Sequence, residues 1–480
     1  MSTEKEEKDA LLQMIRLGRP MSIGQQARLT LQLSVPAILA QLTTTIMQYI
    51  DASMVGSMGA NASAAIGLIE STMWLLGSVC SASAAGFYVQ VSHYLGANGA
   101  RDARSVLRQG ISSVLLVSIA LAALSLTLSP WLPRWLGGNP DICGMASSYF
   151  AICALGVPVF QFSMFGSGML RSSGNMVVPS VMSVVMMTLD VVFNFFLIFP
   201  SRVIHVLGMS VFVPGAGLSV TGAAIGTVAA EMVAMMLTMY ILCCRSKELR
   251  IVGECGSFRP TIDCIRRALN IAVPMGLQQV IMCSAYVVMT LIIAPLGTVA
   301  IAAHSLGIVV ESLCYMPGYG IADAATTLVG QSKGAGRQDL MKRFAYISVL
   351  LGMGVMAVMG VVMYVGAPAA MALMTPVEAI RQSGVAVLRI EAYAEPMFAA
   401  AIVCYGVFVG AASTLVPSVM NLVSMWGVRI TLAAALAPTM GLKGVWLAMC
   451  AELCFRGLIF LCRLRWGHWT EDRKIKLGKK

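Results

Sequence analysis

The feature that most constrains this chain is a recurring apolar run, each copy long enough to cross a lipid bilayer. Such runs fall near residues 30–54, 62–88, 106–131, 145–168, 176–199 and 217–242. A second set lies near 268–294, 300–327, 344–366, 386–410, 415–438 and 441–463. A helix rises about 1.5 Å per residue, so about 20 apolar residues cover a hydrocarbon core about 30 Å thick. Charged residues make up only 11% of the 480, against roughly 25% in a typical soluble domain. The chain therefore reads as an all-α membrane protein of twelve spans. An even number of spans puts both termini on one side.

Basic residues orient those spans. Of the 33 Lys and Arg residues, 26 fall in the N-terminal tail, the loops after spans 2, 4, 6 and 8, and the C-terminal tail. The opposite face carries 5, namely Arg134, Arg202, Arg381, Arg389 and Lys443, and two more (Arg429 and Arg456) lie within spans. Short cytoplasmic loops retain Lys and Arg, so the basic face is expected in the cytoplasm of a cell whose inner membrane holds the protein. Topology and headgroup contact then account for the net charge of +11, and no nucleic-acid partner is needed. Residues 1–28 mix acids with bases and contain no apolar signal core, so they are expected to form a solvated or interfacial cytoplasmic tail. The 13 cysteines sit mostly inside apolar runs without metal-binding spacing and read as small core-filling thiols.

The chain also repeats itself. "SVP" at 34–36 answers "AVP" at 272–274, Gly59 answers Gly297, and Pro158 answers Pro396. "PSVM" at 179–182 recurs at 417–420, and every one of these pairs is offset by 238 residues. "GANGARDA" after span 2 echoes "GAGRQDL" after span 8 with one residue inserted. Six spans per half make the halves parallel repeats, related by an axis along the membrane normal. The expected division is a tail at 1–28, a six-helix lobe at 29–243, a cytoplasmic connection at 244–267, a second lobe at 268–463 and a basic tail at 464–480. Two similar lobes suit a carrier better than a channel.

Motifs of chemistry are few. "GQSKG" at 330–334 fits the nucleophile elbow of hydrolases, but a membrane span precedes it where that elbow needs a strand. No phosphate-binding loop and no HExxH occurs, so no enzyme and no cofactor is expected. Transport by such a chain draws on an ion gradient or runs downhill.

The charges inside the spans carry the remaining information, because a carboxylate in lipid is costly and ordinarily faces a cavity or a partner. They are Asp51, Glu70, Asp190 and Glu231 in the first half, and Glu311, Asp323, Glu391, Glu395, Arg429, Glu452 and Arg456 in the second. Glu452 and Arg456 stand four apart and read as a self-neutralising pair. Glu391, beside Arg389, is expected to reach the interface, and Asp323 to cap a broken stretch at "MPGYG", 316–320. Glu395 and Arg429, in adjacent spans, are candidates for substrate binding or gating. In "TLDVVFNFF", Asp190 and Asn194 are one helical turn apart, so they share a face. Thr227 closes "GAAIGT" at 222–227, whose glycines permit close helix approach. Together with Asp51 these residues offer only oxygen ligands, which suits Na⁺ or a proton exchanged between carboxyls. Spacing leaves open whether Asp51 meets the other three. The excess of in-span acid favours cationic or zwitterionic cargo, and 35 methionines supply an adaptable apolar wall.

Several of these stretches are familiar. "IDASMVGSMG" at 50–59 resembles the first-span signature of the multidrug and toxic compound extrusion (MATE) transporters. "GMLRSSGNMVVPSVM" resembles that family's motif between spans 4 and 5, and "FNFFLIF" resembles its span 5 ending. Residues 302–337, from "AAHSLGIVVES" to "GQSKGAGR", resemble its span 8 and following loop. The resemblance implies two six-helix lobes arranged as a V, exporting small molecules in exchange for Na⁺ or H⁺. It also implies a cation site in the first lobe, which falls on Asp51, Asp190, Asn194 and Thr227. The family's span 5 order is asparagine then aspartate, and here Asp190 precedes Asn194. A second-lobe acidic site of another branch falls on Met282 and Phe398 and is not carried over. The expected protein is thus a multidrug antiporter acting as a monomer, with small-molecule substrates and membrane lipid as its partners. The rival readings are a lipid-linked sugar flippase of the same superfamily and a major-facilitator-type carrier.

Overall fold

A backbone in lipid must satisfy its own hydrogen bonds, and a helix does this within one segment. The computed structural model, which describes residues 2–206 and 209–470, is accordingly helical nearly throughout. In the first half the elements are α1 (Ser2–Arg16), α2 (Ile23–Gly56), α3 (Ala60–Gly96), α4 (Ala100–Leu128), the short α5 (Leu132–Trp135), α6 (Pro140–Ser172) and α7 (Val177–Ile198). An antiparallel hairpin, β1 (Pro200–Val206) and β2 (Met209–Ala216), leads to α8 (Ser219–Tyr240). The second half holds α9 (Ile262–Ile293), α10 (Thr298–Gly334), α11 (Gln338–Met374), α12 (Glu378–Glu391), α13 (Glu395–Gly410), α14 (Leu415–Ser424) and α15 (Thr431–Trp466).

Ten helical stretches among the described residues are each long and apolar enough to span a bilayer. The pair α12 and α13, bent by 60° at their junction, forms one further span. The stretch Leu415–Trp466 is 52 residues long, far more than one crossing requires. It breaks at Gly441, whose φ of 60° and ψ of −141° are not helical. That break divides it in two, and the total is twelve.

The duplication is visible in the turns. Gly59 and Gly297 follow the first span of each half with φ of 114° and 96°. At the same offset, Asn98 and Gly336 have φ of 58° and 69°, and Gly174 and Ala412 have φ of 89° and 54°. Left-handed backbone recurs at matching positions even where the residue has ceased to be glycine. The correspondence ends at the hairpin, an insertion in the first half that the apolar pattern did not announce.

The described chain forms two compact units. One comprises residues 43–91 and 100–269, hereafter the N-half unit. The other comprises residues 1–42, 92–99 and 270–480, the C-half unit. Within the C-half unit α11 shows how a membrane helix is laid out. Leu350, Val358, Val361 and Val365 face outward, while Ser348, Gly352, Met356, Gly360, Met363 and Ala367 are buried. Large aliphatic groups meet lipid and small ones let neighbouring helices approach.

Two expectations need correction here. The tail is not merely solvated: residues 2–16 form α1, whose Leu11, Leu12 and Ile15 are buried, and Arg16 Nε donates to Gln331 Oε1 of α10 at 3.3 Å. The chain does not break at "MPGYG" either, because α10 runs straight through Pro317. Asp323 Oδ2 instead accepts a 3.3 Å hydrogen bond from Gln41 Nε2 of α2. Of the basic C-terminal tail, residues 471–480 lie outside the described residues.

Candidate functional site

In the N-half unit three helices bring the first candidate residues together. Helix α7 buries the stripe Ser180, Met186, Asp190, Asn194 and Ile198, so Asp190 and Asn194 point into protein rather than lipid. Asp51 comes from the last turns of α2. Asn194 Nδ2 donates to Asp51 Oδ1 and to Asp190 Oδ2, each at 3.1 Å. Thr227 of α8 and the Asp51 carboxyl both lie close enough to Asp190 to act on its carboxyl. All four predicted residues therefore converge, and the question that spacing left open is answered for Asp51.

The convergence depends on a glycine. A Cβ on Gly226 of α8 would sit 2.1 Å from Asn194 Oδ1 and 3.2 Å from the Asn194 backbone nitrogen. Gly222, one turn earlier, sits equally close to α7: a Cβ there would meet Leu197 O at 2.5 Å. These two positions let α8 lie against the acidic stripe, and Thr227 follows directly.

Burial makes the arrangement chemically consequential. Asp190 and Asn194 are 0% and 1% exposed, and the Oδ1 atoms of both accept no hydrogen bond among the described residues. Two buried carboxyls in contact cannot both stay ionised without a compensating positive charge. That charge is either a proton shared between them or a cation on their oxygens. The donor set of two carboxyls, an amide oxygen and a hydroxyl is the hard-oxygen type that suits Na⁺. Glu231, one turn beyond Thr227, lies close to Ser163 and extends the same polar face.

In the C-half unit Arg429, in a π-helical turn (Met425–Ile430), does not bond Glu395. Its Nε and Nη2 donate to Glu452 Oε2 at 3.0 and 2.7 Å. Arg456 Nε and Nη2 reach the two oxygens of the same carboxylate at 2.7 Å each, and Ser424 Oγ donates to it as well. The expected pair is thus a triad, with one carboxylate shared by both in-span arginines. Sequence spacing showed only the partner four residues away.

Glu391 does not reach the interface. It is 1% exposed and ends α12 where the span bends, and Glu395 begins α13, also 1% exposed. None of their four carboxyl oxygens accepts a hydrogen bond among the described residues. Buried Glu311 of α10 is close enough to act electrostatically on both. Arg389 turns away and stacks over the Tyr364 ring, 5.2 Å from its centroid. Met282 is buried in an apolar cluster and Phe398 packs edge-on against Tyr315, so neither adds an acid here.

Comparison with known proteins bears on the whole chain. The family model described as MatE matches residues 36–196 and 274–435, once in each half. A probable multidrug resistance protein NorM of Thermotoga maritima is 22% identical over 457 residues, covering 93% of this chain and 95% of the relative. Its counterpart in Chromobacterium violaceum is 26% identical over 444 residues, covering 90% and 92%. Among solved structures, an outward-facing multidrug resistance MATE family transporter of the MOP superfamily superposes with a TM-score of 0.85 at 17% identity. That likeness, one of fold, covers 96% of this chain and 99% of the other.

Proposed function

The chain belongs to the MatE family, and from that premise we propose that it is a secondary active multidrug exporter of the cell inner membrane. On this reading it moves cationic or amphiphilic small molecules outward in exchange for Na⁺ or H⁺ and keeps both termini in the cytoplasm. The observation that carries the proposal is the meeting of Asp51, Asp190, Asn194 and Thr227 around carboxyl and amide oxygens left without donors.

Those residues supply the coupling. With a proton or Na⁺ held between Asp51 and Asp190, their mutual repulsion is cancelled and α2 can stay against α7 and α8. When the ion leaves, two carboxylates face each other in a low-dielectric interior and favour a different packing of the same helices. An ion that binds the two packings unequally shifts their populations by that difference in affinity. Asn194 donates to both carboxylates and so holds them in register, and Thr227 steadies Asp190.

Cargo chemistry follows from the balance of charge. Both in-span arginines are held by Glu452, while Glu311, Glu391 and Glu395 are buried without an ion pair among the described residues. This distribution of in-span acid favours a cation and disfavours the pyrophosphate of a lipid-linked sugar, which needs free basic groups. Glu395 acts on substrate or gate directly, and Arg429 acts by anchoring the triad beside it.

A susceptibility panel tests the proposal. Expression in a host lacking its own pumps should raise resistance to lipophilic cations, and vesicles should take up such compounds when a Na⁺ or proton gradient is imposed. Correct membrane insertion with neither effect would contradict it.

A further inference from the structure

Away from the paired carboxylates, the connection between α8 and α9 folds back on the end of α8. That helix closes in a π-helical turn, Ile241–Arg245, and the amides of Ile251 and Val252 both donate to Cys243 O, at 3.0 and 3.3 Å. Arg104 of α4 fastens the loop from the other side. Its Nε donates to Glu248 O at 2.9 Å, and its Nη1 pairs with the Glu254 carboxylate. Buried Arg108 adds a 3.3 Å hydrogen bond to Glu254 O.

The loop so held borders a half-open pocket of about 420 Å³, lined chiefly by Arg104, Arg245, Lys247, Arg250, Val252 and Glu254. That volume lies in the range of small-ligand sites, roughly 300–1,000 Å³. The single lining carboxylate, Glu254, is occupied by Arg104 and Arg108. Arg245, Lys247 and Arg250 are exposed and form no ion pair among the described residues. Three positive charges thus face one pocket without an ion-pair partner among the described residues.

Position decides what kind of anion fits. The pocket lies between the end of one span, Ser219–Arg245, and the start of the next, Ile262–Leu296, which is the depth of lipid headgroups. Exposed apolar side chains lie along the same stretch of chain: Val252 on the pocket wall is 55% exposed, Phe258 48%, and Ile262 at the start of α9 83%. A free anion has no use for these, whereas a lipid places its phosphate among the cations and its chains against exposed apolar side chains such as Val252. Basic pockets beside membrane helices recognise headgroups in this way.

We propose that this pocket binds the phosphate-bearing headgroup of an anionic membrane lipid, with Arg245, Lys247 and Arg250 on the phosphate and Arg104 holding the loop in place. Each Lys or Arg near an anionic surface contributes about fivefold in affinity, so removing three should cost roughly 100-fold.

The test uses the purified full-length protein in neutral detergent, titrated with phosphatidylglycerol or phosphatidylcholine and read by native mass spectrometry and melting temperature. Phosphatidylglycerol should remain bound and raise the melting temperature, less so at high salt, and phosphatidylcholine should do neither. The variant Arg245→Gln/Lys247→Gln/Arg250→Gln should lose roughly 100-fold in phosphatidylglycerol affinity. The variant Lys342→Gln/Arg343→Gln, which removes two exposed charges at the start of α11, should bind as wild type. Unchanged binding by the triple variant, or equal loss in the α11 variant, would overturn the proposal. Displacement of the lipid by equimolar glycerol 3-phosphate would also overturn it, because the site would then be one for a free anion.

Discussion

Replacing Gly226 by alanine should impair ion coupling without substituting any residue that binds the ion. The new Cβ would lie 2.1 Å from Asn194 Oδ1, so the side-chain amide must rotate away, and the Asn194 backbone nitrogen at 3.2 Å limits how far the helices can absorb the strain. Rotation breaks the two 3.1 Å hydrogen bonds that Asn194 makes to Asp51 and Asp190. Hydrogen bonds to charged groups contribute about 1.5–3 kcal/mol each. Partial re-pairing of the amide should hold the net loss to about 2–3 kcal/mol, or roughly 30- to 150-fold in apparent ion affinity. Substrate counterflow in proteoliposomes, titrated with external Na⁺ or with pH, reads that affinity directly. A double-mutant cycle isolates the cause: in an Asn194→Ala background the amide is gone, and Gly226→Ala should cost less than about 0.5 kcal/mol. Equal cost in both backgrounds would mean that the alanine merely prises α7 from α8. No cost in the wild-type background would mean that Asn194 does not set ion affinity.

Other outcomes follow from the same structure. Ala412 occupies left-handed backbone (φ 54°) where its repeat partner is Gly174, so Ala412→Gly should stabilise the protein by about 1 kcal/mol, seen as a higher melting temperature in detergent. Glu452→Gln strips the counter-charge from Arg429 and Arg456 together and should destabilise the fold by about 3–5 kcal/mol in the same measurement. Glu395→Gln, which removes a titratable carboxyl whose oxygens accept no hydrogen bond among the described residues, should fold normally yet export cationic substrates poorly, and wild-type export would exclude Glu395 from binding and gating. Single cysteines at Arg104 or in residues 245–267 should label only from the cytoplasmic side, and at Asn139 or Val377 only from outside. External labelling of the 245–267 connection would refute the assigned orientation.

The spans, their number and the duplication were legible because hydropathy and a fixed offset depend on no long-range contact. The left-handed turns at Gly59 and Gly297 were marked by glycine, but Ala412 carries no such mark and only the structure reveals its conformation. The break in the second half was misplaced. Pro317 between glycine and methionine suggested it, yet a helix interior tolerates one lost hydrogen bond when its neighbours hold it. The true bend precedes Pro396, which stands in the first turn of α13, where its ring disfavours helix in the residue before it. Asp190 and Asn194 could be paired by their spacing, whereas the meeting of Asn194 with Asp51, 143 residues away, and of Arg429 with Glu452, 23 away, is tertiary. Gly226 stood within a stretch already noted for close approach, but which atom it makes room for became visible only with Asn194 in place.

The most direct test of the coupling role is Asp51→Asn, which keeps the side chain's shape and removes its charge. Membrane vesicles carrying either form would be given an inward Na⁺ or proton gradient, and ion-driven substrate counterflow would be measured at matched protein levels. Coupling through Asp51 predicts that the variant inserts and folds normally, still binds substrate, and shows no acceleration of counterflow by either gradient. Counterflow at the wild-type rate would contradict it, leaving Asp51 a packing residue and placing the coupling ion elsewhere.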